Sequence, residues 1–107
     1  MFNPFRIFQR EDRLFGAKRN KNWRKIGKEF LKGKVCAVCG GKKKIIPHHK
    51  VPVHINPAIE LEVSNLIALC DQHKCHFIFG HLGSWFSHNS AIEKDAEWFY
   101  NKIKGRP

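Results

Sequence analysis

The chain has 107 residues, of which 42% are hydrophobic and 27% charged, a composition typical of one small globular domain rather than of a disordered segment. It holds no run of about 18 apolar residues, and its N-terminus mixes charged with aromatic residues, which argues against a membrane span and a signal peptide. Lysine and arginine total 20 against 9 acidic residues, which favours a polyanionic partner. We expect a cytoplasmic protein without membrane association.

The excess positive charge lies in the first part of the chain. Residues 1–44 hold 14 basic and 3 acidic residues, whereas residues 45–107 hold 6 of each. Aromatic residues alternate with these basic residues, as stacking surfaces beside phosphate contacts would; they are Phe2, Phe5, Phe8, Phe15 and Trp23. A solubilising charge run is the alternative. We expect residues 1–34 to form a basic arm and helix with five DNA contacts, at Arg19, Lys21, Arg24, Lys25 and Lys28.

The first half of the chain predicts one helix and one strand. Trp23, Ile26 and Phe30 recur at helical spacing between Asn22, a candidate N-cap, and Gly33, a stop signal. Residues 44–51 resemble a strand, in which Pro47 argues for an edge position. Two further prolines predict a loop over residues 51–64.

The second half predicts a strand and two helical segments. Residues 65–70 form an apolar run that suits a strand, and residues 75–82 can start a helix. A capping box, Ser90-x-x-Glu93, precedes apolar residues at helical spacing, and Gly105 ends that helix. The apolar residues of this last helix are Ile92, Ala96, Phe99 and Ile103. We expect Trp98, Phe99 and Ile103 to pack against the domain.

Four cysteines form two pairs, which predict a structural zinc site. Cys36 and Cys39 are spaced as C-x2-C, and Cys70 and Cys75 as C-x4-C. Thiolates suit Zn²⁺, and a small core gains much of its folding energy from a metal. A redox pair or disulfides are the alternatives, which a reducing cytosol and the missing βαβ pattern disfavour.

These cysteines enclose a further set of residues, and together they resemble the HNH endonuclease family. The matching text is C-x2-C at 36–39, PHHKVP at 47–52, SNLIALC at 64–70 and CH at 75–76. The string CHFIFGHLGSWFSHN is similar to small HNH proteins of bacteriophages and prophages. The resemblance implies an α+β protein with a small ββα-metal (His-Me finger) domain, a four-cysteine zinc site and flanking N- and C-terminal helices. It places the nuclease domain at residues 35–107, with the metal core at 35–88 and the C-terminal helix at 89–105.

The resemblance also implies roles for single residues. His48 would bind the catalytic divalent metal and His49 would act as general base. Asn65 would hold either the metal or the loop that carries the base, and His76 would be a second metal ligand. The implied activity is metal-dependent hydrolysis of double-stranded DNA, by nicking or double-strand cleavage, with a role in phage genome packaging and the large terminase subunit as a partner.

Elementary chemistry supports separate roles for His48 as a metal ligand and His49 as a general base. A neutral imidazole can accept a proton from water at pH 7, and a cation beside the phosphate stabilises charge. Because adjacent residues of a strand face opposite sides, His48 and His49 cannot both face the metal on a regular strand.

Two departures from the family pattern leave alternatives open. By spacing, His73 could replace Cys75 as the fourth zinc ligand, although thiolate is the better one and we favour Cys75. His48 stands where many members have Asp, so Mn²⁺, Ni²⁺ or Co²⁺ could serve as well as Mg²⁺. His54 and His88 are expected in solvent. His81, five residues after His76, fits helical spacing poorly. It is expected either to support a metal ligand by a hydrogen bond or to contact a phosphate.

A second function remains open beside the nuclease. A catalytically inactive, zinc-stapled DNA-binding or packaging-accessory module would share the fold and the basic arm. RNA is a lesser alternative as the nucleic acid, because phosphate recognition alone does not separate it from DNA.

Overall fold

The structure, a computed structural model, describes residues 19–107, so the predictions for Phe2, Phe5, Phe8 and Phe15 lie outside it. Two short 3-10 helices, Pro57–Ile59 and Val63–Asn65, lie in the loop between the two strands. The main elements within residues 19–107 are two α-helices, two strands and one π-helical turn. They are helix α1 (Trp23–Leu31), strand β1 (Ile45–His49), strand β2 (Leu66–Cys70), the π-helical turn (His76–Gly80) and helix α2 (Ile92–Lys104). The α+β class is therefore confirmed.

Strands β1 and β2 form a two-stranded antiparallel sheet, in which Ile45 lies opposite Cys70 and His49 opposite Leu66. Pro47 is tolerated inside β1 because that strand pairs on one side only. Every residue of β2 is buried. Since successive side chains of a strand face opposite sides, the sheet presents one face to α1 and the other to the π-helical turn.

Helix α1 packs on the sheet through its glycine. Gly27 is buried, and a Cβ there would lie 3.1 Å from Cγ of Pro47, so a small residue lets the helix approach β1. The helix ends as predicted, two residues before Gly33, whose φ is +71°. Asn22 occupies the N-cap position, but its side chain makes no capping hydrogen bond; instead Oδ1 of Asn20 accepts from the N–H of Asn22 at 2.9 Å.

The other face of the sheet covers the hydrophobic core. Ile67 and Leu69 of β2 belong to the same buried cluster as Ile92 and Ala96 of α2. The predicted helical spacing of α2 is thus confirmed at its buried positions. Trp98, however, is 60% exposed, with Nζ of Lys102 4.5 Å from its ring centroid, so its predicted packing is wrong.

The start of α2 also differs from its prediction. Helix α2 begins after Ala91, and no side chain caps it as the Ser90-x-x-Glu93 box would. Instead, buried Asn89 accepts from the N–H of Ala91 at 2.9 Å and donates from Nδ2 to Asp95 at 2.8 Å. Nδ2 also lies 2.8 Å from the carbonyl oxygen of Phe79, which it donates to. Asn89 therefore makes hydrogen bonds to both the helix and the π-helical turn, so tertiary contacts determine where this helix begins.

Within residues 19–107, none of the helices is long and apolar enough to span a bilayer.

Candidate metal centres and a buried histidine

The structure brings the four cysteines together into what we call the cysteine cluster: Cys36, Cys39, Cys70 and Cys75. Their sulfurs all lie within 4.8 Å of one another. Sγ of Cys39 is 3.6 Å from Sγ of Cys70, far beyond the roughly 2.05 Å of a disulfide. Zn–S bonds of about 2.3 Å in a tetrahedron separate the sulfurs by about 3.8 Å. The cluster therefore fits one zinc ion.

Two short turns build this cluster. In the first, the N–H of Gly40 donates to the carbonyl oxygen of Cys36 at 2.9 Å, and Gly40 has a φ of +74° that favours glycine. The N–H of Gly41 then points at Sγ of Cys39, 3.4 Å away. In the second, Cys70 ends β2 and Cys75 immediately precedes the π-helical turn. The first pair thus lies in a hydrogen-bonded turn before β1, and the second joins the end of β2 to the π-helical turn.

Cys75, and not His73, completes the set of four. Exposed His73 lies beside the cluster, with Nδ1 3.4 Å from Sγ of Cys39, and its backbone N–H donates to Cys70. Burial raises the pKa of Cys39 and of Cys75. Burial also acts to raise the pKa of Cys70, but hydrogen bonds from His73 N–H and the neighbouring thiols lower it overall. Zinc binding must therefore displace protons from buried thiols.

A second group, the histidine cluster, consists of His48, His76 and His81. All three are buried, and their ring nitrogens lie within 4.8 Å of one another. Nε2 of His76 is 3.1 Å from Nε2 of His81. Nε2 of His48 is buried without a hydrogen-bond partner. An unpaired buried nitrogen is costly, and this atom lies where it could bind a metal ion together with the other two rings.

The tautomers of this cluster follow from its outer contacts. Nδ1 of His76 lies 3.3 Å from Oδ1 of Asp71, and Nδ1 of His81 lies 2.9 Å from the carbonyl oxygen of Ser87. Because both oxygens are acceptors, each Nδ1 carries a proton, and the two Nε2 atoms face each other. At a separation of 3.1 Å these two Nε2 atoms can share a proton or bind one metal ion between them.

Two of the imidazoles are held in the neutral form that binds metals. Burial lowers the pKa of His48 well below its usual value and that of His81 to about 4. The three converging imidazole nitrogens fit a divalent metal ion with a coordination position left for another ligand.

His81 joins this cluster because its segment is π-helical. The N–H of His81 donates to the carbonyl oxygen of His76 at 3.2 Å, so residues five apart lie on one side of the turn. Sequence reasoning missed this role because it measured the spacing against an α-helix. The His-x4-His pattern was the available signal.

Gly80 gives a test of the histidine cluster. A Cβ there would lie 3.2 Å from both Cε1 and Nε2 of His48 and 3.2 Å from Cδ1 of Leu69. We expect Gly80→Ala to displace the His48 ring and weaken Co²⁺ binding at this cluster about tenfold or more, because ligand geometry governs such sites. Titration of zinc-loaded protein with Co²⁺, followed by its absorption bands, measures this. Gly105→Ala, where a Cβ meets nothing closer than 3.4 Å, is the control. Equal Co²⁺ affinities would contradict the assignment.

The side chain of Asn65 is hydrogen-bonded to the backbone of Val51. Its Oδ1 accepts from the N–H of Val51 at 2.9 Å, and its Nδ2 donates to the carbonyl oxygen of Val51 at 3.1 Å. The amide therefore clamps the loop that directly follows β1 and His49. The structure brings His81 to His48 and His76.

His49 lies on the opposite face of the sheet, as strand alternation predicts. Its Nε2 is 2.9 Å from the carbonyl oxygen of Glu60, an acceptor, so Nε2 carries the proton and Nδ1 keeps a lone pair. The ring stacks on Trp23 with centroids 4.4 Å apart. Burial, aided by the charge of Arg19, lowers the pKa of His49 to about 4. His49 is thus a neutral, oriented imidazole.

The remaining histidines and Trp85 complete the surroundings. His54 is exposed, as predicted. His88 is half-buried and stacks on His48 with centroids 6.0 Å apart, so its placement in solvent is wrong: a hydrogen bond to the Lys50 backbone holds it there. The ring of Trp85 also borders the histidine cluster, with its centroid 5.2 Å from that of His76 and 5.1 Å from that of His81.

The expected DNA contacts lie on or just before α1. Four of them are exposed, at Lys21, Arg24, Lys25 and Lys28. Arg19 is half-buried, with its guanidinium carbon 5.6 Å from the centroid of Trp23. Since Trp23 stacks on His49, these basic residues lie on, or just before, the helix that covers His49.

Comparison of the chain with protein-family models, with curated proteins and with solved structures finds no significant match.

Proposed function

We propose that this protein is a metal-dependent endonuclease of the HNH type, which hydrolyses DNA phosphodiester bonds. The observation that carries the proposal is the division between two adjacent histidines. His48 contributes an unpartnered Nε2 to a cluster of three imidazoles, while His49 keeps a lone pair on Nδ1 at the opposite face. Phosphodiester hydrolysis needs these two functions, a cation site and a proton acceptor.

His49 is the proposed general base. The carbonyl oxygen of Glu60 fixes the proton on Nε2, so Nδ1 can accept a proton from the attacking water. The stacked ring of Trp23 limits rotation of the imidazole. Glu60 and Trp23 thereby keep the accepting nitrogen in one orientation.

The histidine cluster is the proposed site of the catalytic metal. His48, His76 and His81 would hold the ion, with Asp71 and the carbonyl oxygen of Ser87 orienting two of the rings. When bound, the cation supplies positive charge beside the phosphoryl oxygen and the leaving 3′ oxygen. Three nitrogen ligands suit Mn²⁺, Co²⁺ or Ni²⁺ better than Mg²⁺, which prefers oxygen.

The cysteine cluster is the proposed structural zinc site. Four thiolates leave no open coordination position, which is the pattern of structural rather than catalytic zinc.

DNA is the proposed substrate because of the basic residues around α1. If they contact phosphates, affinity for DNA falls by about 0.9 log unit per log unit of salt for each phosphate neutralised. We expect replacement of the basic residues by glutamine to flatten this slope and weaken binding to all sequences alike, at Arg19, Lys21, Arg24, Lys25 and Lys28. Fluorescence anisotropy at several salt concentrations measures the slope. The control variant replaces two lysines of α2, Lys94 and Lys102. An unchanged salt slope in the α1 variant would mean that the positive charge around α1 only keeps the protein in solution.

Incubation of supercoiled plasmid with zinc-loaded protein tests the function as a whole. We expect nicked or linear products with Mn²⁺, Co²⁺ or Ni²⁺ and none with EDTA. The second candidate, a zinc-stapled DNA-binding module without catalysis, is favoured by the combination of the cysteine cluster with exposed basic residues on α1. It predicts salt-dependent binding without cleavage under any metal.

A further inference from the structure

Two side chains, Arg19 and His49, contact the ring of Trp23 on the sheet face that carries His49. The ring of Trp23 lies 4.4 Å from the His49 ring, at an interplanar angle of 28°. The guanidinium carbon of Arg19 lies 5.6 Å from the centroid of Trp23. Trp23 is itself only half-buried, whereas His49 is 6% exposed. The partly exposed indole therefore forms one wall of the place that His49 occupies.

Glu60 joins the same two parts of the chain by other contacts. It is 7% exposed, and Oε2 of its carboxylate accepts from the N–H of Asn20 at 2.7 Å. Its carbonyl oxygen accepts from Nε2 of His49 at 2.9 Å. One buried residue thus fixes both the segment that leads into α1 and the proton of the imidazole.

From this geometry we propose that Trp23 is a positioning residue: it orients His49 for proton transfer and couples that orientation to the basic helix α1. The inference rests on the proposed function, in which His49 is the base. A single hydrogen bond at Nε2 holds the ring at one atom but leaves it free to tilt and turn, and the indole face removes that freedom. Since Arg19 also contacts the indole, a phosphate bound by Arg19 would influence the orientation of His49 through Trp23.

The test compares Trp23→Leu with the conservative Trp23→Phe in zinc-loaded protein with Mn²⁺. The substrate is bis(4-nitrophenyl) phosphate, which lacks the DNA contacts of α1. We expect Trp23→Leu to lower kcat about tenfold or more with little change in KM, since small misplacements of a reacting group cost up to about 10²-fold. Trp23→Phe should restore most of that loss. Trp98→Leu, which removes a tryptophan that is 60% exposed on α2, should match wild type.

A second experiment, by NMR spectroscopy, does not depend on activity. Two-bond ¹⁵N–¹H correlation spectra of the imidazoles should show His49 as a single Nε2–H tautomer in wild type and Trp23→Phe, and as averaged signals in Trp23→Leu. Unchanged His49 signals in Trp23→Leu, or an unchanged kcat, would overturn the positioning role. If wild type does not cleave but the signals change as expected, the nuclease proposal fails and the orienting role stands. Should Trp23→Leu fail to fold in thermal melts, Trp23→Phe decides: wild-type His49 signals together with a kcat about tenfold or more below wild type would overturn the positioning role.

Discussion

Replacing His49 with alanine is expected to lower the rate of plasmid cleavage by about 10²–10⁴-fold, the usual contribution of a general base. Zinc content and DNA affinity should stay near wild type, because His49 belongs to neither metal cluster and lies behind Trp23 rather than among the exposed basic residues. Single-turnover rates at saturating protein isolate the chemical step from DNA binding.

The controls for this prediction separate chemistry from folding. His49 is buried, so its loss could destabilise the hairpin, and thermal melts of each variant are needed. His49→Gln retains a donor for the carbonyl oxygen of Glu60 but offers no basic nitrogen, so it should be as inactive as His49→Ala while melting closer to wild type. His54→Ala, in an exposed histidine of the following loop, should cleave normally. Wild-type rates in His49→Gln would remove His49 from the mechanism.

Stripping the cysteine cluster of zinc is expected to unfold the protein. Structural zinc contributes roughly 10–16 kcal/mol of binding free energy in zinc-finger peptides, comparable to the whole folding free energy of about 5–15 kcal/mol of a domain. Here the cluster also joins β2 to the π-helical turn and includes three buried members of the core. Circular dichroism during titration with a strong chelator should therefore show loss of structure together with loss of zinc, and recovery when zinc is returned.

Two variants distinguish the ligands of this cluster. Cys75→Ser should bind zinc more weakly and lose its fold at lower chelator concentration, because Cys75 is one of the four converging sulfurs. His73→Ala removes only a neighbour of Cys39 and should keep one zinc per chain in elemental analysis. A folded protein without zinc, or zinc loss from His73→Ala but not from Cys75→Ser, would contradict the assignment.

Local signals in the sequence predicted the elements well where one rule dominates. Helix α1 follows from apolar spacing with Gly33 as its stop, and β2 from an apolar run of strand length. The grouping of the cysteines followed from their pairwise spacing and the chemistry of thiolates. Strand alternation also predicted that His48 and His49 would face opposite sides.

The errors arose where tertiary contacts outweighed a local pattern. The start of α2 is held by Asn89 rather than by the capping box at Ser90. The amide of Asn89 also donates to the backbone carbonyl of Phe79, 10 residues earlier. His81 was set aside because an α-helical period was assumed for a π-helical segment. Trp98 was assigned to the core by residue type, although its neighbour Phe99 occupies the inward position and packs 5.0 Å from Phe79 between ring centroids.

The segment from Cys70 to His76 belongs to both candidate metal centres at once. Cys70 and Cys75 supply sulfurs, while Asp71 orients the ring of His76, the residue directly after Cys75. The geometry of the histidine cluster therefore depends on the same segment that the cysteine cluster holds in place. On the proposed function, zinc would fold this segment first, and the second ion would enter a site that zinc binding has shaped. A cell short of zinc would then lose both centres, however plentiful the other metal.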